Sequence, residues 1–197
     1  FIVGEEVTTY FPEDRCKLHV TVWGITPERH EQIETLKLRD DVYAFCDWLK
    51  DHGIAHALAH PVYSQNGKLS VWHLERCCLL FRAFETLNGA HSGTQSVGVE
   101  RFLQWLDADR INALSIKHGL APVFDNAWVK GITGGSDDHG LLNVGKAFTA
   151  VRTDGETITD PAEFFGHVMA GRSLVGGVAG HPSLLAHQLT TVASHYT

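Results

Sequence analysis

An apolar run, Trp128-Val129-Lys130-Gly131-Ile132, is followed by a glycine pair and then by Ser136-Asp137-Asp138-His139. The apolar run predicts a strand, and residues two apart on an extended backbone point the same way, so Asp137 and His139 are directed at one spot. A carboxylate and an imidazole that converge suit a divalent ion of the zinc, manganese or iron type. A glycine or Asx turn with a solvated Asp and His is the alternative interpretation.

The rest of the chain alternates between helical patterns and short apolar runs. Residues 54–60 form such a run before Pro61, and Ser70 and Asp160-Pro161 are helix starts. Gly119 is a helix stop, and the pattern of 184–196 predicts a last helix. Strand–helix alternation predicts an α/β fold with a parallel sheet or barrel, and the 197 residues are expected to form one domain, 1–197. Phe1 opens an apolar run in place of a methionine, so we expect an upstream segment with at least one further strand.

Net charge and cysteine content limit the partners and the cellular compartment that we expect. A net charge of −7 argues against a broad nucleic-acid surface, and no apolar run approaches the ~18 residues of a membrane span. The four cysteines lack disulfide or metal spacing, which predicts buried thiols in a reducing cytoplasm. Thirteen histidines are an excess for this length, and a site with several metal ions would account for them.

Polar side chains with metal-binding chemistry recur where strands are predicted to end. The five segments are Gly4-Glu5-Glu6, Lys17-Leu18-His19-Val20, Ala59-His60-Pro61, Glu85-Thr86-Leu87-Asn88-Gly89 and Ser136-Asp137-Asp138-His139. In a parallel barrel, the carboxyl ends of the strands gather functional groups at one face. A hydrogen-bonded structural role explains each segment alone, but all five together predict a shared metal site.

In order and spacing, these segments resemble the PHP (polymerase and histidinol phosphatase) domain family. The resemblance implies a distorted (β/α)7 TIM-like barrel that holds two or three divalent ions (Zn, Mn or Fe) and hydrolyses a small phosphate monoester or diester through a metal-bridging hydroxide. The insertion between Pro61 and Glu85 is similar to that of PHP proteins associated with glycosyltransferases, which implies a fused or associated enzyme domain. The family's opening His-x-His motif is not present and is expected upstream of Phe1.

The resemblance also implies roles for individual residues. Glu6 matches the bridging glutamate, and the other implied ligands are His19, His60, Asp137 and His139. Glu6 and Asp137 are the predicted catalytic residues, with Asp137 either orienting the nucleophile or accepting a proton.

Residues beside the ligands receive supporting roles. Glu85 and Asn88 are predicted to support the ligands or position the backbone, while Asp138 fills a variable position near the site. Glu5 fills another variable position and should point away from Glu6, and it is kept as an alternative to Glu6. Arg15 is a candidate contact for substrate phosphate. No general acid is assigned, although His91 and Lys17 are candidates.

Two other functions remain open at this stage. A PHP-like module could bind metal without catalysis and serve another enzyme, such as a glycosyltransferase. An amidohydrolase-type metallohydrolase also places His and Asp at strand ends, but the carboxylated lysine typical of many such enzymes has no clear candidate here.

Overall fold

The fold is taken from a computed structural model, which describes residues 2–141, 143–155 and 157–195. Phe1, at the start of the predicted first strand, and Tyr196, at the end of the predicted last helix, lie outside these ranges. None of the described helices combines the length and the apolar character needed to span a membrane.

The described residues form seven strands and seven α-helices. The strands are β1 (Gly4–Tyr10), β2 (Lys17–Trp23), β3 (His56–Leu58), β4 (Ala83–Asn88), β5 (Gly131–Gly135), β6 (Ala147–Val151) and β7 (Ser173–Gly177). The helices are α1 (Pro27–Thr35), α2 (Val42–Asp51), α3 (Val71–Leu80), α4 (Gly93–Trp105), α5 (Ala108–His118), α6 (Pro161–Met169) and α7 (Pro182–His195). A 3₁₀ turn covers Leu38–Asp40.

Five strands form a mixed sheet in the order β1-β2-β3-β4-β5. The pairs β1/β2 and β2/β3 are antiparallel, whereas β3/β4 and β4/β5 are parallel. Strands β6 and β7 form a separate antiparallel ribbon. The protein is therefore an α/β protein with two sheets.

The predicted (β/α)7 barrel is wrong, because no closed barrel forms within the described ranges. A parallel pair needs a crossover of a dozen or more residues, and only the stretch 11–16 joins β1 to β2, which therefore pair as a hairpin. At the other edge, β5 and β6 belong to different sheets, and the Thr149 hydroxyl links the two strands. It donates to the Gly134 carbonyl at 3.0 Å and accepts from the Gly134 amide at 2.9 Å.

Two strand boundaries also differ from the prediction. Gly4-Glu5-Glu6 begins β1 instead of ending a strand, so Glu6 does not sit at a carboxyl end. The strand predicted over 128–133 is found at Gly131–Gly135, two residues before Asp137. Side chains from a hairpin and from parallel strand ends therefore meet on the same sheet.

Strand alternation sorts the hairpin into a core face and a polar face. Val7 on β1 and Val20 on β2 are fully buried in the main core, which also contains Phe45 of α2 and Phe81 after α3. Glu6 and His19 lie on the opposite face, since their positions differ by an odd number from those of the buried valines. The helical layer thus fixes which side of the sheet carries the polar residues.

Local signals read from the sequence agree with several helix ends. Asp160 caps α6 by accepting from the Ala162 amide at 2.8 Å, with Pro161 at the first position of the helix. Gly119 ends α5 in the left-handed conformation. All four cysteines are buried free thiols, and burial raises the pKa of Cys16 and Cys78 to about 11.

Candidate metal centre

The β1–β2 hairpin brings together the first two predicted ligands. In its register Thr8 faces His19 and Glu6 faces Thr21, which makes Glu6 and His19 diagonal neighbours on the polar face. Glu6 Oε1 lies 2.6 Å from His19 Nδ1. The pairing register alone therefore joins a carboxylate and an imidazole that are thirteen residues apart.

His60 joins them from the end of β3. The Ala59 amide donates to the His19 carbonyl at 3.0 Å, which extends the β2–β3 pairing up to His60. His60 Nε2 then lies 3.9 Å from Glu6 Oε2, and its ring centroid is 5.1 Å from that of His19. Ligand atoms of Glu6, His19 and His60 all lie within 4.8 Å of one another. We call these three residues the triad.

The environment favours the protonation states that metal ligands require. The hydrogen bond with His19 lowers the pKa of Glu6, against the effect of burial, so Glu6 is a carboxylate near neutral pH. Burial lowers the pKa of His60, which therefore is a neutral imidazole with a lone pair available. A carboxylate and neutral imidazoles are the forms in which these side chains coordinate divalent ions.

Glu85 and Asn88 on β4 lie directly behind the triad. Glu85 Oε2 accepts from the His60 amide at 2.8 Å and from Asn88 Nδ2 at 2.9 Å. Burial raises the pKa of Glu85 to about 7, although both of these hydrogen bonds oppose the rise. The predicted supporting role is consistent with this geometry, because Glu85 holds the backbone at His60.

Asp137 is tied to the same network from the end of β5. Asn88 Nδ2 donates to Asp137 Oδ2 at 3.2 Å as well as to Glu85, and the Asp137 carboxylate acts on the charge of His60 together with Glu6. His139 Nδ1 lies 3.8 Å from Asp137 Oδ1 and donates to the Asp137 carbonyl at 3.1 Å. The side chain of His139 is 62% exposed, so Asp137 is held more firmly than His139.

Two of these residues have unusual backbone conformations. His60 has φ of 28° and Asp137 has φ of 46°, in the left-handed region that residues other than glycine rarely adopt. Such strain concentrates at functional sites, where surrounding contacts enforce it. At His60, the contact is the amide hydrogen bond to Glu85.

Three of the residues that were predicted near the site make their described contacts away from the triad. Glu5 points away from Glu6 and accepts from Arg39 at 2.7 Å. Asp138 accepts from the amides of Gly140 at 3.0 Å and Asn143 at 2.8 Å, and so holds the loop after β5. Arg15 pairs with Asp40 at 2.9 Å and covers the Tyr10 ring, contacts that do not involve the triad.

Two further side chains reach the site, His91 and Gln65, of which Gln65 was not predicted. His91, considered only as a candidate acid, has Nε2 3.6 Å from Asp137 Oδ2 and a ring centroid 5.4 Å from that of His60. One feature of the sequence indicates this position of His91, which follows Asn88 by three residues. Asn88 Oδ1 accepts from the His91 amide at 3.0 Å. Gln65 approaches the two triad histidines, and no motif indicates it.

Comparison with known proteins finds a similarity in fold. No protein-family model and no curated protein matches the chain. The fold is similar to the crystal structure of a two-domain protein from Bacteroides vulgatus ATCC 8482 that contains a predicted PHP-like metal-dependent phosphoesterase, with 13% identity and a TM-score of 0.50. The similarity covers 96% of this chain and 49% of the neighbour, so this chain spans about half the neighbour's length. At this identity, the similarity concerns the fold alone.

Proposed function

We propose that this protein is a metal-dependent phosphoesterase that hydrolyses a small phosphate monoester or diester. The observation that carries the proposal is the triad, in which a carboxylate and two imidazoles from β1, β2 and the segment after β3 converge within 4.8 Å. The fold similarity to a protein with a predicted PHP-like phosphoesterase supports the choice of reaction class. The PHP resemblance of the sequence motifs points the same way.

The donor set fits the proposed cofactor. One carboxylate and two imidazoles match zinc, manganese or iron, which take mixed oxygen and nitrogen ligands. Glu6 presents Oε1 towards His19 and Oε2 towards His60, so these three residues would hold the ions, with Asp137 and His139 as further ligands. When bound, the ions lower the pKa of a water molecule and polarise the phosphoryl oxygens.

Charge explains why phosphate binding would depend on the ions. Glu6 and Asp137 both act on the ionisation of His60, His91 and Glu85, so their carboxylates share one small space. A phosphate ester carries negative charge and would be repelled by these carboxylates. Cations held by Glu6, His19 and His60 would offset this negative charge, and Asp137 would be placed to hold or accept a proton beside the substrate.

Turnover of an aryl phosphate with added Mn²⁺ tests the proposal. Wild type should hydrolyse the ester only with the metal, and Glu6→Gln, which keeps the size of the side chain, should lose at least an order of magnitude in kcat/KM. Metal binding without hydrolysis of any ester would favour the non-catalytic module. Metal-dependent cleavage of lactones or amides, but not of phosphate esters, would favour an amidohydrolase.

A further inference from the structure

Gln65 lies in the connection between β3 and α3 and faces the triad. Its amide Nε2 is 3.4 Å from His19 Nδ1 and 3.4 Å from His60 Nε2, and the side chain is half-buried. These two ring nitrogens are the same atoms that lie closest to Glu6. Gln65 therefore approaches the triad on the side where these two ring nitrogens would direct their lone pairs at an ion.

The spacing of these atoms matches a four-ligand arrangement. Around an ion with bonds of about 2.0–2.1 Å, tetrahedral ligand atoms stand roughly 3.3–3.4 Å apart. Both Gln65 distances have this value, and the His60–Glu6 distance of 3.9 Å is close to it. The 2.6 Å contact between His19 and Glu6 is a hydrogen bond that an ion would replace by a longer separation.

The chemistry of the amide decides which of its two polar atoms, the oxygen or the nitrogen, would coordinate an ion. The oxygen and nitrogen of a glutamine exchange places by rotation about its last torsion, and they are assigned from the surrounding hydrogen bonds. If His19 Nδ1 carries the proton shared with Glu6, it offers no lone pair to an amide N–H. With a metal ion at the triad, the amide oxygen is the only coordinating atom of this side chain.

The loop is anchored so that Gln65 is held in place. The next residue, Asn66, accepts from the Lys17 amide at 3.3 Å and donates to the Arg15 carbonyl at 2.8 Å. On the other side, Ser64 Oγ accepts from the Leu69 amide at 3.2 Å. These contacts fix the loop to the β1–β2 turn independently of the triad, so the order of Gln65 does not depend on its contacts with the histidines.

We infer that Gln65 is a fourth protein ligand, which coordinates a divalent ion at the triad through its amide oxygen. The inference rests on the proposed function, since it requires an ion at the triad. A neutral fourth ligand leaves Glu6 as the only anion among the four ligands, so a divalent ion keeps a net positive charge for an anionic substrate. Gln65 would thus help to bind the ion without cancelling the positive charge that attracts phosphate.

The test measures Zn²⁺ affinity of the full chain by competition with a chromophoric chelator, without substrate. Gln65→Ala should weaken binding at least tenfold, the scale of losing support at a metal site. Gln65→Glu keeps an oxygen at the same position and should bind Zn²⁺ at least as tightly as wild type, while raising KM for an aryl phosphate. Gln104→Ala, an exposed glutamine on α4 that contacts Glu100, should change neither quantity.

The absorption spectrum of the Co²⁺ form gives a second readout. Gln65→Ala should change the intensity of the visible bands, since one protein oxygen is lost from the ion, and Gln65→Glu should retain the wild-type coordination number. Unchanged affinity and spectrum in Gln65→Ala, with wild type still binding Zn²⁺ and hydrolysing esters, would overturn the inference and leave the proposed function standing. Absence of Zn²⁺ binding in wild type would remove both.

Discussion

At the scale of single residues, His60 and Asp137 show how the centre is held. Both have positive φ values, and conformations of this kind cost on the order of 1–3 kcal/mol each. Hydrogen bonds from the His60 amide to Glu85 and from Asn88 to Asp137 oppose that cost. Glu85 and Asn88 therefore position His60 and Asp137, the two residues proposed as metal ligands.

Replacing either strained residue should weaken metal binding. We expect His60→Ala and Asp137→Ala each to lower Mn²⁺ or Zn²⁺ affinity at least tenfold, because each removes a ligand atom from the centre. Isothermal titration calorimetry with the metal alone measures this. His30→Ala is the matched control, since His30 on α1 contacts Glu5 on the other face of the hairpin. Wild-type affinity in both test variants would exclude His60 and Asp137 from the centre.

His56 gives a pH dependence that is separate from the metal centre. It is completely buried beside Phe81 and Phe124, and burial lowers its pKa to about 4. The folded state keeps His56 neutral while the unfolded state takes up a proton below about pH 6.5, so stability is lost as pH falls from 6.5 towards 4. The loss attributable to His56 is about 3 kcal/mol at its limit.

Urea unfolding at pH 7 and pH 4.5, with a chelator present, tests this expectation. His56→Leu should lose less stability between the two pH values than wild type, because leucine does not titrate. His187→Ala removes an exposed histidine and should retain the wild-type pH dependence. An equal loss in wild type and His56→Leu would contradict the assignment of the acid sensitivity to His56.

At the scale of elements, the close packing of α6 against β5 fixes the sheet edge next to the centre. Gly131 opens β5 opposite Ala83 of β4, and its amide donates to the Arg82 carbonyl at 2.9 Å. A Cβ at Gly131 would collide with the backbone carbonyl of Val168 in α6. Only glycine permits this approach, and the loop that carries Asp137 follows the strand directly.

A pair of glycine substitutions tests this packing. Gly131→Ala should destabilise the fold by about 1–3 kcal/mol, because backbone atoms must move to admit the methyl group. Gly98→Ala, inside α4 with open space around the position, should stabilise it by up to about 1 kcal/mol through helix propensity. Urea unfolding of both variants gives the comparison. Stabilisation by Gly131→Ala would show that α6 does not press on β5.

At the scale of the whole molecule, the mixed sheet allows distant segments to contribute to one site. The hairpin β1–β2 supplies Glu6 and His19, the β3 end supplies His60, and the β5 end supplies Asp137. Because these segments lie far apart in the chain, an ion bound among them would connect most of the sheet. Metal binding should therefore stabilise the folded state as a unit.

The expected stabilisation follows from mass action. At a free metal concentration 100 times Kd, the free energy of unfolding should rise by about 2.7 kcal/mol for one site, and a chelator should remove the gain. Urea unfolding with Mn²⁺ and with EDTA measures the difference, and Glu6→Gln should show a much smaller one. The gain should also decrease as the pH falls, because protons compete with the ion for the triad histidines. Equal stability with and without metal would contradict a centre at the triad.

Local patterns in the sequence were enough to predict the donor side chains and much of the local structure. Glu6, His19 and His60 are predicted ligands that the fold brings together, and the helix start at Asp160 and the helix end at Gly119 agree with the structure. Such signals are readable because caps and stop residues act within one turn of the chain. The type of side chain likewise limits the metals that it can bind.

The pairing of the strands and the loops that reach the site depend on contacts between distant parts of the chain. The predicted barrel failed because strand direction depends on pairing between distant segments, and the short 11–16 connection makes a hairpin where a barrel needs a parallel crossover. Gln65 carries no motif and reaches the triad because Asn66 fixes its loop to the β1–β2 turn. Local sequence specifies donors and caps, whereas contacts across the chain specify which donors meet.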